Sequence, residues 1–558
     1  MKVKASYEKA RKSYEEKSAS YGYQPDQFAY HSLKEALSAK PGDALYDRLI
    51  TRDSEYESTE QQQRGLNISY IWKHFIGKKG SFMLGGYTNL SGTNEDTHTN
   101  HDVEYLREQR NEKLWQFYDR SVHELETQFG ASFDYWLGKK VYFNVFDNVR
   151  LSRSRIARDF FSDTDEQNVV GGTPTTADPT NSMRNLTHKW TNELTVKSTI
   201  TPVKALMIMP KFSWNYCREK TDYHYGPLDT TAVRTSNTYE PSIFLKWKMS
   251  RVRNMDIAFA YNTTVPDLVS TLGYRNTIDP LHIYMGNPLL HNSHSHTTTY
   301  NYHRMWLRKQ IVLGFTASYN KDINPEATLY SYNSATGVYT SKPMNVKGGD
   351  MWQFAFNYDQ GIGFYFRLMN KFALETAKSY GFLTIVDNNA ADAQPELNKQ
   401  KRLGINNDFE FSYETEKLQL TLFDRLESNR YRYDDASYNT TPLFNSVGIS
   451  ANLHLAPFEV FVQLSDDYCS GYATSAMNGH KLKSMASVSW SFCKNKCMLR
   501  LFADDIFNKD IWYESEYSAF QRQEYSTNYI HHYLNLSFRY RLDAKAKKGK
   551  STTINSRR

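Results

Sequence analysis

The sequence predicts an all-β chain, folded as a transmembrane antiparallel β-barrel of about 20 strands. Three observations predict it. The 558 residues are polar on average, with a mean hydropathy of −0.68, yet 15% are aromatic, including 41 Tyr and 31 Phe. Apolar and polar residues alternate with a period of two through much of the chain. The connections between these alternating runs fall into a short class and a long class that take turns.

A polar chain rich in rings suits many amphipathic strands better than one large globular core. No apolar run approaches the roughly 20 residues of a spanning helix, whereas a spanning strand needs only about 10, half of them facing water. In "LMIMPKFSWNY", Leu206, Ile208, Phe212, Trp214 and Tyr216 share one face against Lys211, Ser213 and Asn215. In "IFLKWKM", Ile243, Leu245, Trp247 and Met249 oppose Lys246 and Lys248. "FGASFDYWL", "MDIAFAYN", "IVLGFTASY", "WQFAFNY", "VGISANLHL" and "ASVSWSF" repeat the pattern. In the closing run, Leu534, Leu536, Phe538, Tyr540 and Leu542 are expected outside, with Asn535, Ser537, Arg539 and Arg541 on the lumenal face. Helical patterning is rare, and its best candidate is residues 32–49, inside the first long connection.

Short turns are expected at "FIGKKGSF", "WLGKKVYF", "ITPVKAL", "SRVRNMD", "LRKQIV", "DQGIGFY", "YETEKLQ", "HLAPFEV" and "FCKNKCM". Long polar connections, such as residues 162–185 and 384–400, lie between them. An outer-membrane barrel sorts its links this way, with short periplasmic turns and long extracellular loops.

Charge excludes one function class. The net charge of +7, from 68 basic and 61 acidic residues, is too weak and too dispersed for nucleic-acid binding. The basic residues that do cluster form a C-terminal tail, residues 544–558, read as solvated and disordered. The preceding residues, 1–543, are read as one barrel domain. The first residues, "MKVKASYEKARKSYEEK", carry no export signal, so the barrel pattern implies that the functional protein continues upstream of Met1.

The four cysteines, Cys217, Cys469, Cys493 and Cys497, are too few to scaffold a chain of this length. Cys493 and Cys497 flank a turn, where either a bridge or two free thiols fits. No catalytic spacing occurs, so no enzyme activity and no cofactor are expected. His291, His294 and His296 are weak candidates for a metal, because no carboxylate or thiol accompanies them. The acidic stretches 162–168 and 387–396 lack calcium-loop spacing and read as solvated loops. Loop aromatics Tyr330, Tyr332 and Tyr339 are candidates for stacking on a cargo, against ordinary loop packing.

The segment "DPLHIYMGNPLL" (279–290) raises a question of its own. Pro280 and Pro288 fix φ and remove two backbone donors, and Gly286-Asn287 supplies a turn. Strand parity puts it outside the cell, as a rigid loop base in which Gly286, Asn287 and Pro288 are structural. Asp279, Pro280, Ile283, Gly286, Asn287, Pro288 and Leu290, followed by "HTTTYNYH", match a "DP…I…GNP.L" pattern. Together with "LRLFADDIFNKD" (499–510) and "YLNLSFRYRL" (533–542), this pattern resembles the outer-membrane β-barrel family at the C-terminal end of Bacteroidota-type TonB-dependent receptors.

The resemblance implies a 22-strand barrel in the cell outer membrane, surrounded by lipid. It also implies import of a small-molecule, glycan or peptide cargo, energised by TonB through a plug. This chain shows no plug and lacks the strands of a first hairpin, so it reads as the barrel portion of such a receptor. The alternatives are a plugless passive pore or a surface-binding barrel.

Overall fold

The short turns set the architecture, because each one reverses the chain into the next antiparallel strand. In the computed structural model, described for residues 2–18, 51–105, 110–279, 282–333, 339–386, 396–434, 436, 439–472, 478–493, 496–507, 512–517, 522–527 and 532–540, each short turn named above lies between two strands that pair antiparallel. Gly77 and Gly138 take φ of 56° and 70° in two of them, a left-handed conformation that costs glycine little. The expected helix at 32–49, Pro280, most of 387–396 and the tail 544–558 lie outside the described residues.

Among the described residues the main sheet has 24 strands, and twenty of them run as one meander. These are β1 (Lys2–Ser18), β2 (Thr51–Ile76), β3 (Gly80–Tyr105), β4 (Arg110–Leu137), β5 (Val141–Asp163), β6 (Met183–Val203) and β7 (Leu206–Tyr225). Then come β8 (Leu228–Ser250), β9 (Arg253–Thr264), β10 (Ser293–Trp306), β11 (Ile311–Ile323), β12 (Asp350–Ile362), β13 (Phe366–Val386) and β14 (Glu396–Glu414). The rest are β15 (Leu418–Tyr433), β16 (Leu443–Leu455), β17 (Phe458–Ser470), β18 (Gly479–Phe492), β19 (Cys497–Asp504) and β20 (Tyr533–Tyr540). Each pairs antiparallel with the next. Among the described residues, β1 pairs only with β2 and β20 only with β19, so these two are the ends of the wall.

Exposure separates the two faces. Phe212 is 45% exposed while its neighbour Ser213 is 1%, and Trp490 is 42% exposed while Ser489 is 8%. Phe538 stands opposite Leu499, and Leu499 opposite Trp490, so the final strand's rings join the outward face. Ser537 stands opposite Arg500, in the inner column with Ser489. The outward apolar face meets lipid, and the polar face lines the lumen.

Two connections expected from the alternation to be long are short. Only residues 106–109 separate β3 from β4, and 226–227 separate β7 from β8. The strands themselves take up the difference: β2 and β3 have 26 residues each, about 85 Å of extended chain. A bilayer's apolar band is only about 25 Å tall. The wall therefore stands well above the membrane on the side of the long connections. Cys493 and Cys497 are free thiols; Cys493 begins the turn at φ 52° and Cys497 opens β19 opposite Phe492.

Candidate functional site at the outer mouth

The connections between β9 and β10 (265–292) and between β11 and β12 (324–349) build a ribbon at the mouth. At one end, residues 329–333 pair parallel with 382–386 on the free edge of β13. Residues 326–332 pair antiparallel with 339–345, and 339–341 pair parallel with 282–284. The 282–285 segment pairs in turn with 275–279. At its far end the ribbon meets the inner face of the wall. Gln116 of β4, only 4% exposed, donates from Nε2 to the Ile278 carbonyl at 2.7 Å. Asn181 Nδ2 donates to Thr277 Oγ1 at 3.2 Å, and the Thr277 amide donates back to Asn181 Oδ1 at 3.2 Å. The ribbon thus joins β13 to β4.

Rings fasten the far end. Tyr274 packs against Tyr223 and Tyr225 of β7 at 5.7 and 5.5 Å and against Tyr284 at 5.7 Å. Tyr223 and Tyr225 point inward and are each 3% exposed. Arg158 of β5 lies over the Tyr225 ring at 5.6 Å and donates to the Asn181 carbonyl at 2.9 Å. Burial first, then the neighbouring Tyr284 and Tyr223, pushes the Tyr274 phenol well up. Burial holds the His282 imidazole below its usual range, with Asp279 opposing, while His282 Nε2 meets Ser341 Oγ at 2.5 Å.

Gly286, Asn287 and Pro288 sit where these pieces cross. A Cβ on Gly286 would lie 1.7 Å from the Leu272 carbonyl oxygen, and the Gly286 amide donates to the Tyr274 carbonyl at 3.0 Å. Asn287 is 3% exposed, and its Nδ2 donates to the Pro343 carbonyl at 2.7 Å, tying one connection to the other. Its Oδ1 accepts from the Leu289 amide at 3.1 Å, and the Leu290 amide donates to the Asn287 carbonyl at 3.3 Å. This is an Asn-Pro turn, with Asn at the first position and Pro at the second, where its fixed φ is favoured.

The other sequence candidates fall elsewhere. His294 and His296 belong to β10, on its outward face. His294 stacks on Tyr261 at 5.7 Å, and His296 lies 6.4 Å from Tyr319, itself 4.5 Å from Trp352. Both lie in the outer ring girdle. His291 is apart, its backbone held by Asn345. Among the described residues no group of three His, Cys, Asp or Glu side chains converges on a metal position. Tyr330, Tyr332 and Tyr339 all lie in the ribbon, with Tyr332 opposite Tyr339 and Tyr330 opposite Ser341. In the acidic stretch 162–168, the Asp163 carboxylate accepts from the Asp165 amide, Asn168 and Thr176, which closes the loop on itself.

Below the start of the 265–292 connection, the inner faces of β6, β7 and β8 line a cavity of about 480 Å³. Lys189, Cys217, Glu219, Arg234 and Glu240 border it, with Asp267 from the connection above. Arg234 Nη2 and Glu219 Oε2 pair at 3.0 Å. The cavity walls present charges of both signs and hydrogen-bond donors and acceptors. Gln116, Asn181, Tyr223 and Tyr274 carried no sequence signal, because each acts through a partner far along the chain.

No curated protein matches the chain. Among solved structures it is similar to the siderophore receptor PirA from Pseudomonas aeruginosa, at 11% identity over 75% of this chain and 71% of that one, with a TM-score of 0.38. It is similar to the copper transporter OprC at 8% identity, over 88% and 78% of the two chains, with a TM-score of 0.40. The ferripyoverdine receptor of the Pseudomonas aeruginosa outer membrane gives 8% identity, 88% and 68% coverage, and a TM-score of 0.42. The model of the outer membrane protein beta-barrel family matches residues 219–540, more than half of the chain. The chain belongs to that family of outer-membrane barrels.

Proposed function

We propose that this chain is the barrel portion of a TonB-dependent outer-membrane receptor that takes up a nutrient. The reading rests on the ribbon: two outer connections join across the mouth and bind the inner wall at Gln116 and the β5–β6 connection at Asn181. A mouth built in this way holds a cargo at the lumen rather than leaving an open hole. The polar cavity beneath it favours a small-molecule, glycan or peptide cargo with hydrogen-bonding groups. TonB, acting through a plug, would supply the energy, and the barrel residues would position the cargo without catalysis. Gly286, Asn287 and Pro288 act as the joint of the ribbon, and Tyr330, Tyr332 and Tyr339 are proposed to stack on the cargo.

Planar-bilayer conductance of the protein isolated from its own outer membranes tests this reading. The resting protein is expected to be closed, and to open only when a denaturant releases the plug. A steady open current without denaturant would reject the receptor reading and favour the plugless pore.

A further inference from the structure

We infer that the outward face of β11–β15 carries a binding site for a phosphate-bearing lipid of the outer leaflet. Register sets a row of charges across five neighbouring strands. Lys321 stands opposite Asp350, Asp350 opposite Lys378, Lys378 opposite Lys401, and Lys401 opposite Arg432. The row beneath it runs through Tyr319, Trp352, Thr376, Leu403 and Arg430. Trp352 is 43% exposed and Leu403 38%, so both rows face out. Trp352 lies about ten residues from the turn end of β12, the length of strand that crosses the apolar band. The charged row therefore sits just beyond that band, at the level of lipid headgroups.

Like charges directly opposite one another destabilise a sheet, and here Lys378, Lys401 and Arg432 stand side by side. Asp350 is the one carboxylate in the row. On the inner face of the same strands the cations are matched: Arg402 with Glu375, Arg425 with Asp408, and Arg367 with Asp359. Among the described residues, Lys401 and Arg432 make no ion pair with a carboxylate, and Lys321 has only Asp350 across the strand, beyond ion-pair distance. A phosphate monoester fits this arrangement, because its oxygens accept charge-assisted hydrogen bonds from Lys and Arg together. Its acyl chains would then lie along the Trp352–Leu403 row below.

The test titrates the protein, isolated in dodecyl maltoside, with short-chain phosphatidic acid, the matching phosphatidylcholine, and inorganic phosphate, and reads binding by native mass spectrometry. Phosphatidic acid is expected to bind at least about tenfold more tightly than phosphatidylcholine. The triple variant Lys378→Gln/Lys401→Gln/Arg432→Gln is expected to lose that advantage, and Asp350→Asn to increase it. Should the triple variant fail to fold, Asp350→Asn and the single variant Lys401→Gln decide by moving phosphatidic acid affinity in opposite directions. Equal affinity for the two lipids, or variants that leave phosphatidic acid binding unchanged, would overturn the site. Inorganic phosphate that binds as tightly as phosphatidic acid would overturn its assignment to a lipid.

Discussion

Ile449→Arg is expected to destabilise the assembled barrel by about 2–4 kcal/mol, while Ser450→Arg beside it is expected to be tolerated. Ile449 faces outward between Leu422 and Leu464, near the middle of β16, so an arginine there places a charge close to the bilayer midplane. Ser450 points to the lumen, between Thr421 and Gln463, where an arginine stays hydrated. Urea titration of the two variants refolded in lipid vesicles measures the difference. Phe538, the ring a sequence reading would choose for this test, lies opposite Leu499, close to the 493–496 turn. The depth dependence of the penalty leaves only about 0–1 kcal/mol for an arginine that near the interface.

Gly286→Ala should release the ribbon without unfolding the wall. The added methyl would fall 1.7 Å from the Leu272 carbonyl oxygen, a backbone atom that cannot turn aside, so the segment must move. Movement there breaks the Asn287 bond to Pro343, and leaving that buried pair unmade costs about 1–3 kcal/mol. Hydrogen exchange is expected to rise in 265–292 and 324–349 and to stay unchanged in β14–β18. Exchange that rises equally in both regions would mean that Gly286 supports the wall itself.

The sequence made some of this visible and hid the rest, for physical reasons. Period-two alternation and tight-turn residues are local, so much of the strand pattern, its two faces and the short turns between them could be read directly. The Asn287-Pro288 turn was readable for the same reason, since both residues act on their immediate neighbours. The height of the wall was not. Segments such as "QQQRGLNIS" alternate weakly, and nothing local says that β2 continues through them as ladder. The metal-candidate histidines His294 and His296 show no apolar alternation of their own, yet register on β9 makes them strand. The ribbon was the least legible part. Its joints to Gln116, Asn181 and Tyr223 pair residues distant in sequence, and such contacts leave no periodic trace.

Spin labels on β8 test the account most directly. With the four native cysteines replaced by serine, cysteines are introduced one at a time at Ile243, Leu245, Lys246 and Lys248, and the protein is reconstituted in lipid vesicles. Labels at 243 and 245 are predicted to relax with lipid-soluble oxygen and to be shielded from a water-soluble nickel chelate. Labels at 246 and 248 are predicted to do the reverse. The same environment at all four positions would contradict a wall with one face in lipid and the other on a lumen.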